Sequence, residues 1–176
     1  MNENIKLKDS SFWTNLFKSP TESEDLESLL RSMPPFEEIK NKSLKSLMEL
    51  MHNRVYQTGE YLFYQGDPGV CLFIIREGKI KIEFKKNDRT FDLVTLERGD
   101  FFGEMALLED DVRSASAIAM TEVKANVIFR PDLNEFIERN PKEGIKILSG
   151  MAKILATRLR ETNSAYLDLL IKRKEG

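Results

Sequence analysis

The sequence contains almost none of the residues that form covalent crosslinks or metal sites. Cys71 is its one cysteine and His52 its one histidine, which excludes a disulfide within one chain and a multi-histidine metal centre. The longest purely apolar run, Val70–Ile75, is far shorter than the roughly 20 residues of a membrane-spanning helix. Residues 1–11 lack the apolar core of a secretory signal. We therefore expect a cytoplasmic protein with no metal, no cofactor and no membrane span.

The charge of the chain has no dominant sign. Its 176 residues include 27 basic and 29 acidic side chains, for a net charge of −2. A protein with this balance has no overall basic field that would attract nucleic acid or an anionic membrane. Hydrophobic residues make up 41% of the chain, which is typical of a soluble globular protein, and the length suits one domain plus an arm or a long helix.

The first 34 residues are predicted to form a helical arm. Apolar residues recur at helical spacing in two short stretches, Phe12, Trp13, Leu16 and Phe17, and then Leu26, Leu29 and Leu30. We expect this arm to pack on its own domain or on a partner subunit. The alternative is an amphipathic anchor for a membrane or another protein, although the acidic residues of 22–27 speak against anionic lipid. A third helix is predicted over Ser43–His52, with His52 as an ordinary residue near its end.

From Val55 to Arg130 the pattern changes to short strands separated by glycine turns. Apolar and mostly polar residues alternate over 79–85 and over 122–129, and this period of two predicts a sheet with one buried face. Turn signals at intervals of about 8–12 residues indicate a sandwich, a barrel or a jelly roll. Cys71 falls in one of these strands and is predicted to be a small core residue rather than a haem ligand.

Two helices are predicted after the strands, one from Pro131 to about Arg139 and one from about Pro141 to Ile171. The second carries an apolar heptad seam at positions 145, 148, 152, 155, 159, 162, 166 and 169. The seam predicts a homodimer, and the alternative is a single helix that packs on its own domain. A second stripe, Ile147, Met151 and Ile154, is predicted to cover the sheet.

The segment Asp100–Ala115 interrupts the strands and contains the residues of an anion-binding site. Gly103 allows a ligand to approach the backbone closely, and the free N–H groups of a helical turn over 105–108 favour a negative ligand. Arg113 supplies a planar fork suited to phosphate oxygens, and Ser114 supplies a hydroxyl.

Glu104, in the same segment, can only accept hydrogen bonds when it is ionised, so it suits a sugar hydroxyl rather than a phosphate. Together with Arg113 it predicts a ligand that has one phosphate and an adjacent free hydroxyl. The alternative is that Arg113 forms a surface ion pair with Glu109, Asp110 or Asp111, which would contribute about 0–1 kcal/mol.

This segment resembles the phosphate-binding cassette of cyclic-nucleotide-binding domains, the family of the catabolite activator protein and the protein kinase A regulatory subunit. The resemblance rests on Phe102-Gly103-Glu104-Met105-Ala106-Leu107 and, after a short spacer, Arg113-Ser114-Ala115. It covers about residues 35–170, and we call Asp100–Ala115 the cassette segment. It implies a fold that is mainly β with flanking helices, namely a double-stranded β-helix (jelly roll) followed by a long C-terminal helix. The expected parts are a helical arm (1–34), the β-roll with flanking helices (35–140) and the long helix (141–176).

The resemblance also implies a role for each site residue. At the phosphate, the backbone amides of Gly103, Met105 and Ala106 would face the ligand, Arg113 would pair with the equatorial oxygen, and Ser114 would support that contact. Glu104 would accept a hydrogen bond from the ribose 2′-hydroxyl.

At the nucleoside, Ile82 and Leu93 would line the pocket, and Thr162 and Asn163 of the long helix would meet the purine. Ser114 followed by Ala115 favours cyclic AMP over cyclic GMP.

The function expected from the resemblance is a non-enzymatic regulatory module that transmits ligand state through its C-terminal helix to an unknown downstream protein. It is similar to a stand-alone bacterial-type member without a helix-turn-helix, so no specific DNA binding is expected. One alternative is a structural or interaction protein with this fold and an empty or degenerate pocket. An enzyme is the remaining alternative, and it has little support because the sequence offers no nucleophile–base pair.

Overall fold

The computed structural model describes residues 22–105 and 111–175. Within these ranges the chain forms two helices, eight strands and two further helices in sequence order. The helices are α1 (Glu22–Arg31), α2 (Asn41–Glu49), α3 (Arg130–Arg139) and α4 (Pro141–Glu175). The strands are β1 (His52–Tyr56), β2 (Tyr61–Phe63), β3 (Cys71–Glu77), β4 (Lys79–Lys86), β5 (Arg89–Glu97), β6 (Phe101–Phe102), β7 (Ser116–Ala119) and β8 (Val123–Phe129).

The described strands form two four-stranded sheets, in the orders β1-β8-β3-β6 and β2-β7-β4-β5. Their paired strands are antiparallel. Apolar side chains from the two sheets meet in one core, which includes Phe73, Ile75, Ile80 and Val127. This two-sheeted roll with flanking helices and a long C-terminal helix confirms the predicted fold class.

A second core lies between the helices and the first sheet. Leu72 and Ile128 of the sheet share it with Leu30 of α1 and with Ile147 and Met151 of α4. The prediction that the second stripe of the long helix covers the sheet is therefore confirmed. The first half of α4 packs on the first sheet of the β-roll, and this packing positions the rest of the helix beside the cassette segment.

The close approach of α4 depends on Gly150. A Cβ at this position would lie 2.4 Å from the Cα of Pro35, a distance that side chains do not tolerate. The helix therefore packs directly on the backbone of the segment that joins α1 and α2.

The expectation that the strand over 122–129 has one buried face is wrong. Asn126 and Ile128, on the face predicted to be exposed, are both buried. The cause is the position of β8 between β1 and β3, where one face meets the second sheet and the other meets the helices. Asn126 is accommodated because its Nδ2 donates a hydrogen bond to the Oδ1 of Asn53.

The boundary of the predicted third helix also needs correction. The helix α2 ends at Glu49, and His52 is the first residue of β1, where it is paired with Val127 in the antiparallel ladder. Helical spacing is a local signal, so it could not show that His52 pairs with a strand distant in the sequence. Cys71 begins β3 and is buried, as predicted.

The described part of the N-terminal arm packs on its own domain. Leu26, Leu29 and Leu30 of α1 are buried in the helical core. The first predicted helix of the arm, with Phe12 and Trp13, lies outside the described residues. In the part of the chain that the structure describes, none of the helices is both long and apolar enough to cross a membrane.

Candidate functional site

A cavity of about 600 Å³ is lined by residues of the second sheet, the cassette segment and α4. Its volume lies in the range of roughly 300–1,000 Å³ that is typical of small-molecule sites. Nine of the eleven residues predicted from the sequence line it: Ile82, Leu93, Gly103, Glu104, Met105, Arg113, Ser114, Ala115 and Thr162. The fold therefore brings together residues that are distant along the chain.

The other two predicted residues have a different outcome. Asn163 is exposed on α4 and does not belong to the cavity lining. Ala106 lies outside the described residues. Met105 is helical, in agreement with a helical turn that begins here, but the rest of the predicted turn also lies outside the described residues.

Arg113 is buried in the wall of the cavity. The residue is only 6% exposed. Its Nη2 donates a hydrogen bond to the carbonyl oxygen of Cys71 at 2.8 Å. The guanidinium carbon lies 4.2 Å from the centre of the Phe63 ring, in a cation–π arrangement. The alternative interpretation, a surface ion pair, is wrong because this side chain is not at the surface.

The burial of Arg113 leaves part of its hydrogen-bonding capacity unused. Loss of solvation lowers the pKa of the guanidinium from its usual value. Among the described residues, its Nε has no hydrogen-bond partner. A buried cation with an unmade hydrogen bond is unfavourable. An anionic ligand in the adjoining cavity would supply both an acceptor and a compensating charge.

Gly103 lets the backbone near the start of the cassette segment lie close to the Arg113 side chain. Its φ of +78° lies in the left-handed region that favours glycine. A Cβ at this position would lie 2.5 Å from Nη1 of Arg113 and 3.1 Å from the carbonyl oxygen of Cys71. Glycine is therefore needed both for the backbone conformation and for the space that the guanidinium occupies.

Glu104 is the buried carboxylate of the site. Its Oε1 accepts a hydrogen bond from Nη1 of Arg158, which lies on α4. Nη2 of the same arginine donates to the carbonyl oxygen of Phe101 at 2.9 Å. A buried carboxylate is unfavourable without a cation or a donor, and Arg158 supplies both to Glu104.

Sequence reasoning did not identify Arg158 as the partner of Glu104. One available signal was its position four residues before Thr162, which places both on the same face of the helix. The further lining residues are Phe63, Val94, Leu96, Phe102, Asp111, Val112, Arg158 and Glu161. Half of these eight residues lie on strands. For Phe63, Val94 and Leu96 the strand pairing brings them to the cavity, and no local motif indicates such an arrangement.

The chemistry of this site is suited to binding. A guanidinium and the Ser114 hydroxyl can hold an anion, the Glu104 carboxylate can accept from a hydroxyl, and Ile82 and Leu93 provide apolar walls for a ring. In residues 22–105 and 111–175 the structure places no group of three or more His, Cys, Asp or Glu side chains that could hold a metal ion.

Comparison with known protein families gives a match over the region that contains this cavity. Residues 53–140, which form half of the chain, match the family model described as cyclic nucleotide-binding domain. The matched region includes the cassette segment and the strands that line the cavity, but not α4.

Individual relatives extend the match. The chain is 33% identical to the cyclic AMP receptor protein of Thermus thermophilus over 144 residues, which is 80% of this chain and 63% of that protein. It is 30% identical to cGMP-dependent protein kinase 2 of Mus musculus over 134 residues, which is 73% of this chain but 18% of the kinase. The chain thus spans less than two thirds of the length of these two relatives.

A solved structure matches over most of its length. The N-terminal domain of a transcriptional regulator from Streptomyces coelicolor A3(2) superposes with a TM-score of 0.67 at 30% sequence identity. The match covers 78% of this chain and 94% of that domain.

Proposed function

This chain belongs to the cyclic nucleotide-binding domain family, and we propose that it is a regulatory module that binds a cyclic mononucleotide, with cyclic AMP favoured over cyclic GMP. The observation that carries the proposal is Arg113, a buried guanidinium with an unpartnered Nε among the described residues, in the same cavity as the Glu104 carboxylate. A cyclic phosphate and a free ribose hydroxyl are the two groups that these residues complement.

At the phosphate end, Arg113 pairs with an equatorial oxygen, and the Ser114 hydroxyl supports it. The backbone amides of Gly103, Met105 and Ala106 face the same group. The left-handed conformation of Gly103 supports this arrangement, because a glycine in this conformation allows a ligand to approach the backbone closely.

At the nucleoside end, Glu104 accepts a hydrogen bond from the ribose 2′-hydroxyl, and Ile82 and Leu93 enclose the sugar and base. Thr162 contacts the purine from α4, and its place in the cavity lining supports this role. Asn163 is proposed to meet the purine as well, although it does not line the cavity of a single chain. The relatives do not decide between the two nucleotides, because they include both a cyclic AMP receptor and a cGMP-dependent kinase. The proposed preference for cyclic AMP therefore rests on Ser114 and Ala115.

Ligand state is transmitted through α4, which contributes Arg158 and Thr162 to the cavity and continues well beyond them. The seam residues Leu159 and Tyr166 are 61% and 60% exposed in the single chain, which supports a homodimer formed through this helix. Nucleotide binding shifts α4, and a downstream protein in the cytoplasm responds to this shift by binding. No catalysis is involved.

Calorimetric titration with cyclic AMP and cyclic GMP tests the proposal. Wild type is expected to bind cyclic AMP more tightly, and Arg113→Ala to bind it about ten- to a hundredfold more weakly, because a hydrogen bond to a charged group is lost. Arg139→Ala, which removes an exposed arginine on α3, is the control and should bind as wild type does. Equal affinity of wild type and Arg113→Ala would overturn the proposal.

The second candidate function is an interaction protein whose pocket binds no nucleotide. The observation that favours it is that Arg158 of the same chain already donates a hydrogen bond to the Glu104 carboxylate. In that case millimolar cyclic AMP and cyclic GMP would both leave the unfolding temperature unchanged, whereas a ligand that binds the folded state must raise it.

A further inference from the structure

Asp25, on the N-terminal helix α1, is the centre of a charge cluster that joins three parts of the chain. Its Oδ1 lies 2.5 Å from Nη2 of Arg98, and its Oδ2 lies 3.3 Å from Nη2 of Arg76. The side chains of Asp25 and Arg76 are only 19% and 9% exposed. The hydrogen bond from Arg98 is the main cause that holds the pKa of Asp25 below its usual value. The contact with Arg76 is largely shielded from solvent and is therefore stronger than an ordinary surface ion pair, whereas Arg98 holds Asp25 from a partly exposed position.

Arg98 belongs to the turn that leads into the cassette segment. Its Nη1 also donates to the carbonyl oxygen of Arg76 at 2.7 Å, which fixes the turn against β3. The next residue, Gly99, adopts a φ of +94°, and Oδ2 of Asp100 accepts from the backbone N–H of Glu97 at 2.9 Å. The turn is thus a defined structure, and β6, Gly103 and Glu104 follow it directly.

The apolar face of α1 shares a core with two elements that also contribute residues to the cavity, β6 and α4. Leu26, Leu29 and Leu30 share a core with Phe101 of β6 and with Ile147 of α4. Phe101 also provides the carbonyl oxygen that accepts from Arg158. One short helix therefore packs in the same core as the strand at the start of the cassette segment and the helix that lines the cavity.

We infer that Asp25 is a positioning residue for the nucleotide site: by holding Arg98, it ties α1 to the turn before the cassette segment and keeps Glu104 and Arg113 in the binding arrangement. The inference rests on the proposed function of the cavity. It makes the N-terminal helix part of the nucleotide switch, because a contact that favours nucleotide binding must in turn be strengthened when nucleotide binds.

Two single substitutions and their combination test this role. Asp25→Asn, Arg98→Gln and the double variant are titrated with cyclic AMP and cyclic GMP, and hydrogen exchange of the α1 amides is measured with and without nucleotide. Arg98→Gln is the less disruptive change, because its side chain is 48% exposed. Glu135→Gln, which removes an exposed ion pair with Arg139 on α3, is the matched control.

Each single variant is expected to bind nucleotide about three- to tenfold more weakly, and the double variant to bind no more weakly than the worse single one, because both changes remove one contact. Nucleotide should slow hydrogen exchange of α1 in wild type and in Glu135→Gln, but not in Arg98→Gln.

A merely structural role predicts a different result, namely a lower unfolding temperature with unchanged affinity in both single variants, and this result would overturn the inference. If wild type binds nucleotide and Arg98→Gln binds it equally well, the inference fails while the proposed function stands. If wild type binds neither nucleotide, the proposed function fails and the inference fails with it.

Discussion

Arg158 of α4 and Glu104 of the cassette segment form an ion pair that joins the two walls of the cavity. The guanidinium carbon of Arg158 also lies 5.5 Å from the centre of the Phe101 ring. The side chain of Glu104 is 7% exposed and that of Arg158 is 39% exposed, so the carboxylate depends on this contact more than the arginine does. The proposed acceptor of the ribose hydroxyl is thus held by the helix that is proposed to transmit ligand state.

Replacement of this arginine tests how far the pair supports binding. Arg158→Ala leaves a buried carboxylate without its cation, so Glu104 should lose its position against the cavity. We expect affinity for cyclic AMP to fall about tenfold or more, measured by calorimetry. Arg160→Ala is the control, since this neighbour on the same helix donates to Thr157 instead. An affinity that rises in Arg158→Ala would show that the arginine competes with the ligand for Glu104.

The role of Glu104 itself is tested by changing the ligand. Wild type should bind 2′-deoxy cyclic AMP about tenfold or more weakly than cyclic AMP, because the hydrogen bond to a charged acceptor is lost. In Glu104→Gln the acceptor is neutral, so the variant should discriminate less between the two ligands. Calorimetric titration of both proteins with both ligands gives the coupling between the side chain and the hydroxyl. Equal discrimination in the two proteins would remove Glu104 from the ribose site.

Gly103 and Gly59 form a matched pair for separating backbone strain from crowding. Both adopt positive φ, +78° and +87°, but a Cβ at Gly59 would meet nothing within 4 Å. We expect Gly103→Ala and Gly59→Ala each to lose about 1–2 kcal/mol of unfolding free energy from the strained backbone. Gly103→Ala alone should also lose nucleotide binding, because its new methyl group displaces Arg113.

Urea denaturation and calorimetry on the two variants check both expectations. Loss of binding in Gly59→Ala would attribute the effect to general destabilisation, and normal binding in Gly103→Ala would contradict the close packing of this glycine against the guanidinium.

Local sequence patterns were sufficient to predict the cassette segment and the order of helices and strands. The reason is that glycine turns, a period of two and a capped heptad helix are each visible within a short window. Arg113 was found in this way because its neighbours Ser114 and Ala115 belong to the same motif.

Contacts between distant parts of the chain could not be predicted in this way. Arg158 lies 54 positions from Glu104, and Asp25 lies 73 positions from Arg98. The double burial of β8 likewise depends on which strands become its neighbours. In each case tertiary packing determines which residues become partners. The sequence does not show whether a charged residue on an amphipathic helix faces solvent or another element.

The lowered pKa of Asp25 predicts how stability responds to acid. Because this pKa lies below the usual value of 3.8, the unfolded chain takes up a proton before the folded chain does, and the free energy of unfolding falls as the pH decreases. The contribution of Asp25 is complete above about pH 5 and is lost as the pH falls through 3.8 toward the folded-state pKa. Asp25→Asn should be less stable at pH 7 and should lose less stability over this acid range.

Urea denaturation at a series of pH values, followed by circular dichroism, measures this difference. Glu135→Gln, on an exposed ion pair, provides a carboxyl deletion elsewhere on the surface. Parallel pH curves for wild type and Asp25→Asn would contradict the argument, since the two proteins should converge in acid.

The exposed seam of α4 leads to the last prediction, which concerns assembly. Leu159 lies at a heptad position and is 61% exposed in the single chain, so Leu159→Glu would place two carboxylates against each other in a parallel helix pair. We expect light scattering to give the mass of a dimer for wild type and of a monomer for Leu159→Glu. Thr157→Glu, two residues away on the opposite side of the helix, introduces the same charge off the seam and should remain dimeric. Equal masses for wild type and Leu159→Glu would mean that this seam is not the interface. Should Leu159→Glu be monomeric and also bind cyclic AMP more weakly, the nucleotide site and the dimer would be coupled through α4, because the ion pair between Arg158 and Glu104 lies one residue from the substituted position.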